Sequence, residues 1–582
     1  MIRKIREYMT NKKVGTWRNN LLFLADDGDH NQHTQCSDEA AVKIEKRSPN
    51  YIVNKIYLDA YQQEVNASGE SYPVAKNQFD QLMHDGVLFF DYCGHGSPRG
   101  ITGEKILLAN DVKTMVNDTY AFWMLATCSF SHFDTKEHSI AEHALINENG
   151  GAIAVLSADR TVYATQNKIL NTNLCDTLFA HTSPFNYYMT IGEATRCAKN
   201  KIGGQENKLP YVLLGDPALR LHYPCQYEAV VTNTADTLHA LDVDSIIGFI
   251  RDENGDSVKS FNGTLYLSVL DKMQEITCPD NDETDPSRKG IYTYTDYPNT
   301  LFNGRARIEN GCFATRFMAP KDIRYNYGDG RMVLYAHGLV PDAEGDSVEA
   351  DASGHYTNFK VGGSTKNWIV DDKGPDLNIY LNNPLFRSGG ETYEDPYFYA
   401  EIADENGINT SGSSIGHDLT LIVDNDMKKT YNMNSYFTAD EGSYKSGVVR
   451  YHFSPLSEGS HSLKFRAWDL LNNSSTASLH FQVVKSLRPE LYSVTIGPNP
   501  VAVGGSVTWH VEYDRQEETT EFTLMVFNYA GQLVWEKTRR DANYIVWDTG
   551  TSNVAPGMYL YKLKIKALDT DYSSHEGKII VY

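Results

Sequence analysis

A histidine and a cysteine each follow a short apolar segment of this sequence. Residues 86–100 read GVLFFDYCGHGSPRG, with His95 directly after the apolar run, and residues 121–128 read AFWMLATC, ending in Cys128. A free thiol has a pKa of ~8.5, whereas attack on a carbonyl requires the thiolate, so a nucleophilic cysteine needs a base. Imidazole is the base available at neutral pH. The pair therefore predicts nucleophilic catalysis, with Cys128 as nucleophile and His95 as acid and base.

The same two loops offer backbone donors for the oxyanion that such an attack creates. Gly94 and Gly96 flank His95, and residues of minimal bulk let a backbone N–H approach a substrate closely. We expect the N–H groups of Gly96 and Cys128 to form the oxyanion hole.

Each of these residues also has a structural explanation. A single cysteine at the end of a strand is most often a buried hydrophobe, and a single histidine in a glycine loop is usually structural or merely exposed. The conjunction of both residues at equivalent positions of two strands favours catalysis. Cys93, beside the histidine loop, is better explained as a core residue, and Gly215, Asp216 and Pro217 as structural.

The segments that must position His95 and Cys128 have the sequence pattern of an α/β protein. Apolar runs at 21–25, 87–92, 121–127 and 152–158 alternate with helical patterns over residues 1–224. Short apolar strands separated by helices predict a parallel sheet that is covered on both faces. Ligands of such sheets bind at the carboxyl ends of the strands, which is where both residues fall.

The remainder of the chain predicts β-domains. Helical periodicity ends after Pro224, and alternating runs bounded by Gly, Asn and Asp follow. We divide it into a β-sandwich at 225–365, an Ig-like β-sandwich at 366–485 and a C-terminal β-sandwich at 486–582. None offers a nucleophile with a base, so we expect this half to be separable from catalysis.

The amino-acid composition limits the classes of molecule that this protein could bind. The 582 residues carry a formal net charge of −22 without a block of basic residues, which argues against nucleic acid. Eight cysteines lack paired C-x-x-C spacing, so we predict no metal or other cofactor, with calcium left open; Cys278 and Cys312 could form a disulfide. No transmembrane run and no signal peptide are visible.

Several motifs of the first 224 residues resemble the gingipain family of cysteine peptidases. They read DYCGHGS (91–97), LATC (125–128), AEHAL (141–145), GAIAVLSADR (151–160) and LLGDPALRL (213–221). With FLADDGD (23–29), IYLDAYQQ (56–63) and the terminal unit, the likeness is closer to the sortase branch of that family, which serves the type IX secretion system. The resemblance implies a caspase-like α/β peptidase domain with His95 and Cys128 as catalytic residues.

The resemblance also places three acids, Asp26, Asp27 and Glu104, near the active-site rim, although each could equally be a solvated loop carboxylate or a helix cap. Gingipain-type enzymes carry a further front subdomain and a glutamate that supports the histidine. The corresponding place here holds Met9. We therefore expect this chain to be an N-terminally truncated part of a longer exported protein, with the third catalytic residue unassigned.

Three functions follow from these features. The first is a Cys-His endopeptidase or sortase at the cell surface or outer membrane, which removes C-terminal sorting domains from exported proteins, can join the new end to a surface anchor, and has other type IX components as partners. The second is a secreted degradative protease that is itself cargo of that system. The third is a non-catalytic adhesin or assembly protein with a relic peptidase fold.

Overall fold

The structure is a computed structural model that describes the chain apart from residues 11–12, 67–68, 118, 180–184, 186–188, 205, 282, 284–288, 343, 366–369, 411–416, 516–519, 541–542, 552–553, 568–569 and 571. The helices of the N-terminal region are α1 (Ile2–Met9), α2 (Gln32–Arg47), α3 (Pro73–Asp85), α4 (Ala109–Thr114), α5 (Ile140–Ile146), α6 (Ala164–Phe179) and α7 (Ile191–Lys201). Its strands are β1 (Asn20–Ala25), β2 (Ile52–Tyr57), β3 (Glu64–Asn66), β4 (Gly69–Ser71), β5 (Phe89–Cys93), β6 (Gly96–Ser97), β7 (Gly100–Ile101), β8 (Leu107–Leu108), β9 (Ala121–Ala126), β10 (Ala152–Ala158) and β11 (Tyr211–Leu214).

Six of these strands form one mixed sheet in the order β11-β10-β9-β5-β1-β2. Five run parallel, and β11 pairs with β10 in the antiparallel direction. Every residue of β5, β9 and β10 is buried, which explains why these strands read as continuous apolar runs. The predicted parallel α/β sheet is confirmed.

The helices cover both faces of this sheet. Alternate strand residues divide between two cores, because successive side chains of a strand point to opposite faces. One core contains residues of α2, α6 and α7, and the other contains residues of α3, α4 and α5. Two of the helices begin with capping boxes, formed by Ser139 with Glu142 and by Thr190 with Glu193.

The second region closes into a barrel, although the sequence predicted a sandwich there. Its strands are β12 (Tyr227–Asn233), β13 (Thr237–Ala240), β14 (Val243–Arg251), β15 (Asn262–Leu270), β16 (Gln274–Cys278), β17 (Tyr292–Asp296), β18 (Thr300–Glu309), β19 (Cys312–Met318), β20 (Gly328–Asp329), β21 (Arg331–Pro341), β22 (Ser347–Tyr356) and β23 (Lys360–Ser364). The ring β12-β14-β19-β18-β15-β21-β22 closes because β22 pairs parallel with β12. Alternation of apolar and polar residues is the same in a barrel and a sandwich, so the pattern did not distinguish them.

The third region contains two sheets. Its strands are β24 (Asp376–Leu381), β25 (Glu391–Thr392), β26 (Tyr397–Ala403), β27 (Thr420–Val423), β28 (Thr430–Asn432), β29 (Phe437–Ala439), β30 (Ser446–His452), β31 (Gly459–Trp468) and β32 (Ser474–Val483). They form the sheets β24-β26-β30-β29 and β25-β32-β31-β27-β28. The ring of Phe398 lies 5.5 Å from that of Phe465 on the other sheet, so the two sheets pack on each other. The Ig-like assignment stays a prediction.

The last region has its own core. Its strands are β33 (Leu491–Gly497), β34 (Ser506–Tyr513), β35 (Thr520–Phe527), β36 (Leu533–Arg540), β37 (Tyr544–Asp548), β38 (Gly557–Ala567) and β39 (Ser573–Val581), arranged as the sheets β33-β34-β37 and β36-β35-β38-β39. Trp509 and Tyr561 pack across the two sheets with ring centroids 5.4 Å apart. The buried apolar residues of this region form a separate cluster.

The hairpin β16–β17 of the second region packs against the N-terminal sheet. Its residues Cys278 and Tyr294 are buried in the core that contains α2 and α6. Lys55 of β2 donates to the carbonyl oxygen of Thr295 (2.8 Å) and pairs with Asp38 (3.1 Å). The hydroxyl of Tyr292 donates to the same carboxylate at 2.9 Å. The barrel is therefore joined to the α/β region through a buried polar network.

The possible disulfide between Cys278 and Cys312 can be judged here. Cys278 is a buried free thiol and Cys312 an exposed one, so the two form no disulfide in this structure. None of the helices in the described part of the chain has both the length and the apolar character needed to cross a membrane.

Candidate active site

Three adjacent parallel strands end at the same edge of the N-terminal sheet. Cys93 of β5 pairs with Ala25 of β1 on one side and with Ala126 of β9 on the other. His95 and Cys128 therefore follow neighbouring strands at the same distance from their ends. The structure brings the loops of the two predicted catalytic residues together, as the sequence suggested.

The loop that carries His95 is fixed from beneath by buried polar groups. The backbone N–H of His95 donates to Oδ2 of Asp26 at 2.9 Å, and its carbonyl oxygen accepts from the hydroxyl of Tyr92 at 2.7 Å. That carbonyl also accepts the N–H of Thr102 at 3.2 Å. The backbone of His95 is thus held on both sides, while 66% of its side chain remains exposed to solvent.

The imidazole of His95 faces an acid that the sequence interpretation did not select. Nε2 of His95 lies 3.1 Å from Oδ2 of Asp29. The ring of His33, from the first turn of α2, meets the His95 ring edge to face with centroids 5.0 Å apart. Burial, the main cause, and the neighbouring His95 lower the pKa of His33 to about 4, against the opposing effect of Asp29.

Asp29 lies in a turn of unusual backbone conformation. Asp29, His30 and Asn31 have φ values of 47°, 54° and 60°, a left-handed region that non-glycine residues rarely occupy. Three such residues in succession need support from their surroundings. The hairpin β16–β17 supplies it, because Asn31 donates to the carbonyl oxygen of Gly290 at 2.7 Å and Nδ1 of His30 lies 3.4 Å from Asp280.

Cys128 is half-buried, and its sulfur is engaged with the loop after β10. Sγ accepts the N–H of Val162 at 3.4 Å and donates to the Val162 carbonyl oxygen at 3.6 Å. The next residue, Ser129, has a left-handed φ of 54°, and its N–H donates to the carbonyl oxygen of Arg160 at 3.1 Å. No hydrogen bond joins Sγ to the His95 ring among the groups that the structure describes.

Gly96 lies close to the backbone of the cysteine loop. A Cβ atom at this position would lie 2.3 Å from Oγ1 of Thr127 and 3.1 Å from the carbonyl oxygen of Cys128. Thr127 is fully buried, so the site has no room for a side chain. The loop that contains Gly96 and the loop that contains Cys128 are therefore in contact. The role of their N–H groups as the oxyanion hole stays a prediction.

The three acids expected at the rim form a cluster beneath the His95 loop. One ligand atom from each of Asp26, Asp27 and Glu104 lies within 4.8 Å of the others. Asp26 and Asp27 are 2% and 4% exposed, so these two are buried and do not lie on a solvent-exposed rim. Burial raises the pKa of Asp26 well above its ordinary value, and the charges of Asp27 and Glu104 raise it further, against the opposing His95 N–H. The oxygen-only chemistry of this cluster is that of calcium ligands.

The remaining predicted residues have simple surroundings. Cys93 is buried and accepts a hydrogen bond from Asn171 at 3.2 Å, and burial raises the pKa of its thiol well above the usual value. Met9 is 68% exposed on α1. Asp29 and His33 were the residues that the sequence interpretation missed. The sequence contained a signal for Asp29, because it belongs to an acidic run, Asp26-Asp27-Gly28-Asp29, that directly follows a buried strand. This strand lies next to the one that precedes His95.

A family model and several solved structures match parts of this chain. Residues 1–222 match the model of peptidase family C25. Among solved structures, the chain is similar to dimeric latent PorU from Porphyromonas gingivalis, at 28% identity over 75% of this chain and 41% of that chain, with a TM-score of 0.29. It is also similar to the complex of Porphyromonas gingivalis RgpB pro- and mature domains, at 14% identity over 60% and 73% of the two chains, with a TM-score of 0.32. No curated protein matches it.

A histidine and a cysteine that follow adjacent strands of an α/β sheet, in a region that matches this family, define a cysteine-type peptidase. The match to peptidase family C25, the gingipain family, covers residues 1–222 of the 582. The family resemblance and the enzyme class predicted from the sequence are thereby confirmed. The chain spans 41% of the length of the PorU structure that it resembles.

Proposed function

We propose that this chain is a cysteine endopeptidase in which Cys128 attacks the scissile carbonyl and His95 transfers the protons. The observation that carries the proposal is the ion-pair geometry of His95 with Asp29, at 3.1 Å, on a loop adjacent to that of Cys128. A solvent-exposed imidazole with a fixed carboxylate partner next to a thiol loop is the arrangement expected of a base that activates a nucleophile.

The contact with Asp29 determines which ring nitrogen acts on the thiol. Nε2 of His95 faces Asp29, so Nδ1 is the nitrogen that remains for the sulfur of Cys128. A neutral imidazole that donates its Nε2 proton to Asp29 has an unprotonated Nδ1, which is the acceptor that the thiol requires. Asp29 then stabilises the imidazolium once the thiol proton has been transferred.

The reaction proceeds by acyl transfer. The Cys128 proton moves to Nδ1 of His95, the thiolate forms a bond to the carbonyl carbon, and the carbonyl electrons move to the oxygen. Collapse of that intermediate breaks the C–N bond, and His95 returns its proton to the leaving amine. Water, or an acceptor amine, then attacks the thioester and releases Cys128. The second acceptor yields a new amide bond, which is the step that distinguishes a sortase from a hydrolase.

The thiol must reorient for this chemistry. Sγ of Cys128 hydrogen bonds to the backbone of Val162 rather than to His95. Catalytic hydrogen bonds are often long or absent before substrate binds, and they tighten in the Michaelis complex. Rotation of the Cys128 side chain away from Val162 and toward Nδ1 of His95 is therefore part of the proposed mechanism.

For the finer function, the family motifs and the separate C-terminal unit support a sortase. The substrates would be exported proteins that carry C-terminal sorting domains, the site of action the cell surface, and the other type IX secretion components its partners. The alternative of a degradative protease that is itself cargo predicts that the region 486–582 is removed from the mature protein. Retention of this region on mature cell-surface protein favours the sortase.

The relic-fold alternative is tested by thiol labelling. A peptide chloromethyl ketone should modify Cys128 faster than it modifies Cys312, the exposed free thiol of the barrel, because only Cys128 has His95 beside it. His95→Ala should bring the two rates together. Equal rates in the wild-type chain, mapped by mass spectrometry, would support the relic fold and contradict the proposal.

Peptide hydrolysis gives the second test. Cys128→Ala should abolish cleavage without the drop of several degrees in Tm expected when a core side chain is lost. Cys197→Ala, at another half-buried cysteine, is the matched control and should retain cleavage. A Cys128→Ala chain that still cleaves peptides would exclude Cys128 as the nucleophile.

A further inference from the structure

Three ligand-type side chains of different segments meet beside the proposed catalytic centre. Nε2 of His95 and Nε2 of His33 lie 3.1 Å and 3.3 Å from the same oxygen, Oδ2 of Asp29. One ligand atom from each of the three residues lies within 4.8 Å of the others. The two imidazoles are 5.0 Å apart at nearly perpendicular planes, so their nitrogens converge on one point without the rings clashing.

His33 provides an independent sign that this point is a binding site. The residue is 7% exposed, and its Nε2 has no hydrogen-bond partner among the described groups, because the 3.3 Å approach to Asp29 lacks hydrogen-bond geometry. A buried polar atom without a partner costs about 1–3 kcal/mol. Nε2 of His33 lies 3.3 Å from Oδ2 of Asp29, and a cation bound between these two atoms would give it a partner.

The chemistry of the three groups selects the class of ion. Two imidazole nitrogens and one carboxylate oxygen form a set that suits Zn²⁺ and other divalent transition metals, with one position open for water. Calcium and magnesium prefer sets made of oxygen atoms. The neighbouring cluster of Asp26, Asp27 and Glu104 is of that second kind, so the two clusters should differ in the ions that they bind.

We propose that Asp29, His33 and His95 form a divalent transition-metal site that reversibly withdraws His95 from catalysis. A metal bound at Nε2 leaves Nδ1 as the position for the one proton of the neutral imidazole. Nδ1 then cannot accept the thiol proton of Cys128. Asp29, which would stabilise the imidazolium, is occupied by the same ion. Binding itself stands on the geometry alone, whereas the inhibitory consequence rests on the proposed function.

The binding test uses Zn²⁺ alone, the full chain and competition with a fluorescent zinc indicator. The wild-type chain should bind one Zn²⁺ at this site, and His33→Ala should weaken that binding by at least about tenfold, as expected for loss of a metal-site interaction. Cys128→Ala and His132→Ala should bind as tightly as wild type, since neither residue belongs to the cluster. His132 is the matched control because it lies near Cys128 and pairs with Asp134 at 3.3 Å.

Two results would overturn the site. Equal zinc affinity of His33→Ala and wild type would show that His33 is not a ligand. Loss of binding in Cys128→Ala would show that the ion is held by the thiol. If His33→Ala fails to fold, Asp29→Asn and the visible spectrum of the Co²⁺-loaded wild-type chain replace it, because a thiolate ligand gives an intense charge-transfer band that a site of two histidines and an aspartate lacks.

The inhibition test separates this inference from the proposed function. Zn²⁺ should suppress peptide hydrolysis by the wild-type chain, a chelator should restore it, and His33→Ala should lose zinc sensitivity whatever its basal rate. Zinc binding without any hydrolysis in zinc-free protein would contradict the proposed peptidase function and leave the metal site intact. Hydrolysis that is insensitive to bound Zn²⁺ would overturn the inhibitory role.

Discussion

The carboxylate of Asp29 lies 3.1 Å from Nε2 of His95, although the two residues come from loops after different strands. The strands β1 and β5 are adjacent and parallel, so the short path from Ala25 to Asp29 brings an acid to the histidine. The contact involves Nε2 of the imidazole and not Nδ1. Asp29 therefore acts as the positioning residue of the proposed dyad.

Asp29→Asn should lower kcat by about 10²–10⁴, because an amide neither stabilises the imidazolium nor selects the productive tautomer. KM should change little, and Asp29→Glu should recover part of the rate. Asp134→Asn is the control, since this exposed acid on the cysteine loop pairs with Arg160. Steady-state peptide hydrolysis measures both constants. A change confined to KM would indicate that Asp29 binds substrate instead.

Gly96→Ala should disturb the contact between the two catalytic loops. The added Cβ would lie 2.3 Å from Oγ1 of the buried Thr127, so one loop must shift, and a displacement of about 1 Å costs roughly 10² in rate. Gly103→Ala is the control, because a Cβ there has open space. Adding Thr127→Ala to Gly96→Ala should restore part of the activity. Full activity of Gly96→Ala alone would contradict the tight approach.

Asp91→Asn should change how stability depends on pH. Burial raises the pKa of Asp91 to about 8, against hydrogen bonds from Asn171 and Ser37 that lower it, whereas an unfolded aspartate titrates near ~3.9. The stability contributed by the protonated Asp91 is fully present below the pKa of the unfolded chain. It is lost as the pH rises through the folded-state pKa of about 8. Between these limits the unfolding free energy should fall with rising pH.

The Asp91→Asn variant has no titratable group at this position, so its free energy of unfolding should lack this dependence on pH. In denaturant unfolding from pH 4 to 8, the free energy of unfolding of Asp91→Asn relative to that of wild type should therefore increase by up to the order of 5 kcal/mol. Asp85→Asn, at an exposed carboxylate of α3, should follow wild type at every pH. Parallel curves for wild type and Asp91→Asn would mean that Asp91 is ionised in the folded state.

Asp59→Ala should loosen the hairpin that supports the Asp29 turn. The buried carboxylate of Asp59 accepts the backbone N–H groups of Asp280 and Asn281, and groups left unpartnered there cost about 1–3 kcal/mol. Hydrogen exchange should rise in the two strands of the hairpin, β16 and β17, and in residues 28–31, and kcat should fall. Asp252→Ala is the control, because the Asp252 carboxylate also accepts two backbone N–H groups, those of Asn254 and Asp256, but within its own turn of the barrel. Faster hairpin exchange with unchanged kcat would show that the hairpin does not support catalysis.

The elements around the site were predictable because burial on both faces leaves an unambiguous pattern. The apolar runs at 21–25 and 152–158 correspond to Asn20–Ala25 and Ala152–Ala158. Sheet topology then placed His95 and Cys128 on neighbouring loops. The role of Asp29 was not predictable in the same way, since it depends on three consecutive left-handed residues that no propensity favours. The supporting hairpin was equally hidden, because its contacts join residues more than 200 positions apart.

The position of the hairpin β16–β17 in the sequence also affects the order in which the protein can fold during synthesis. Residues 1–222 are synthesised before the hairpin, yet their core contains Cys278 and Tyr294, and the turn that carries Asp29 rests on Gly290. Because the ribosome makes the chain in that order, the nascent α/β region lacks one wall of its own core until the barrel has been made and folded. The packing around the Asp29 turn is thus completed only after the middle of the chain has left the ribosome.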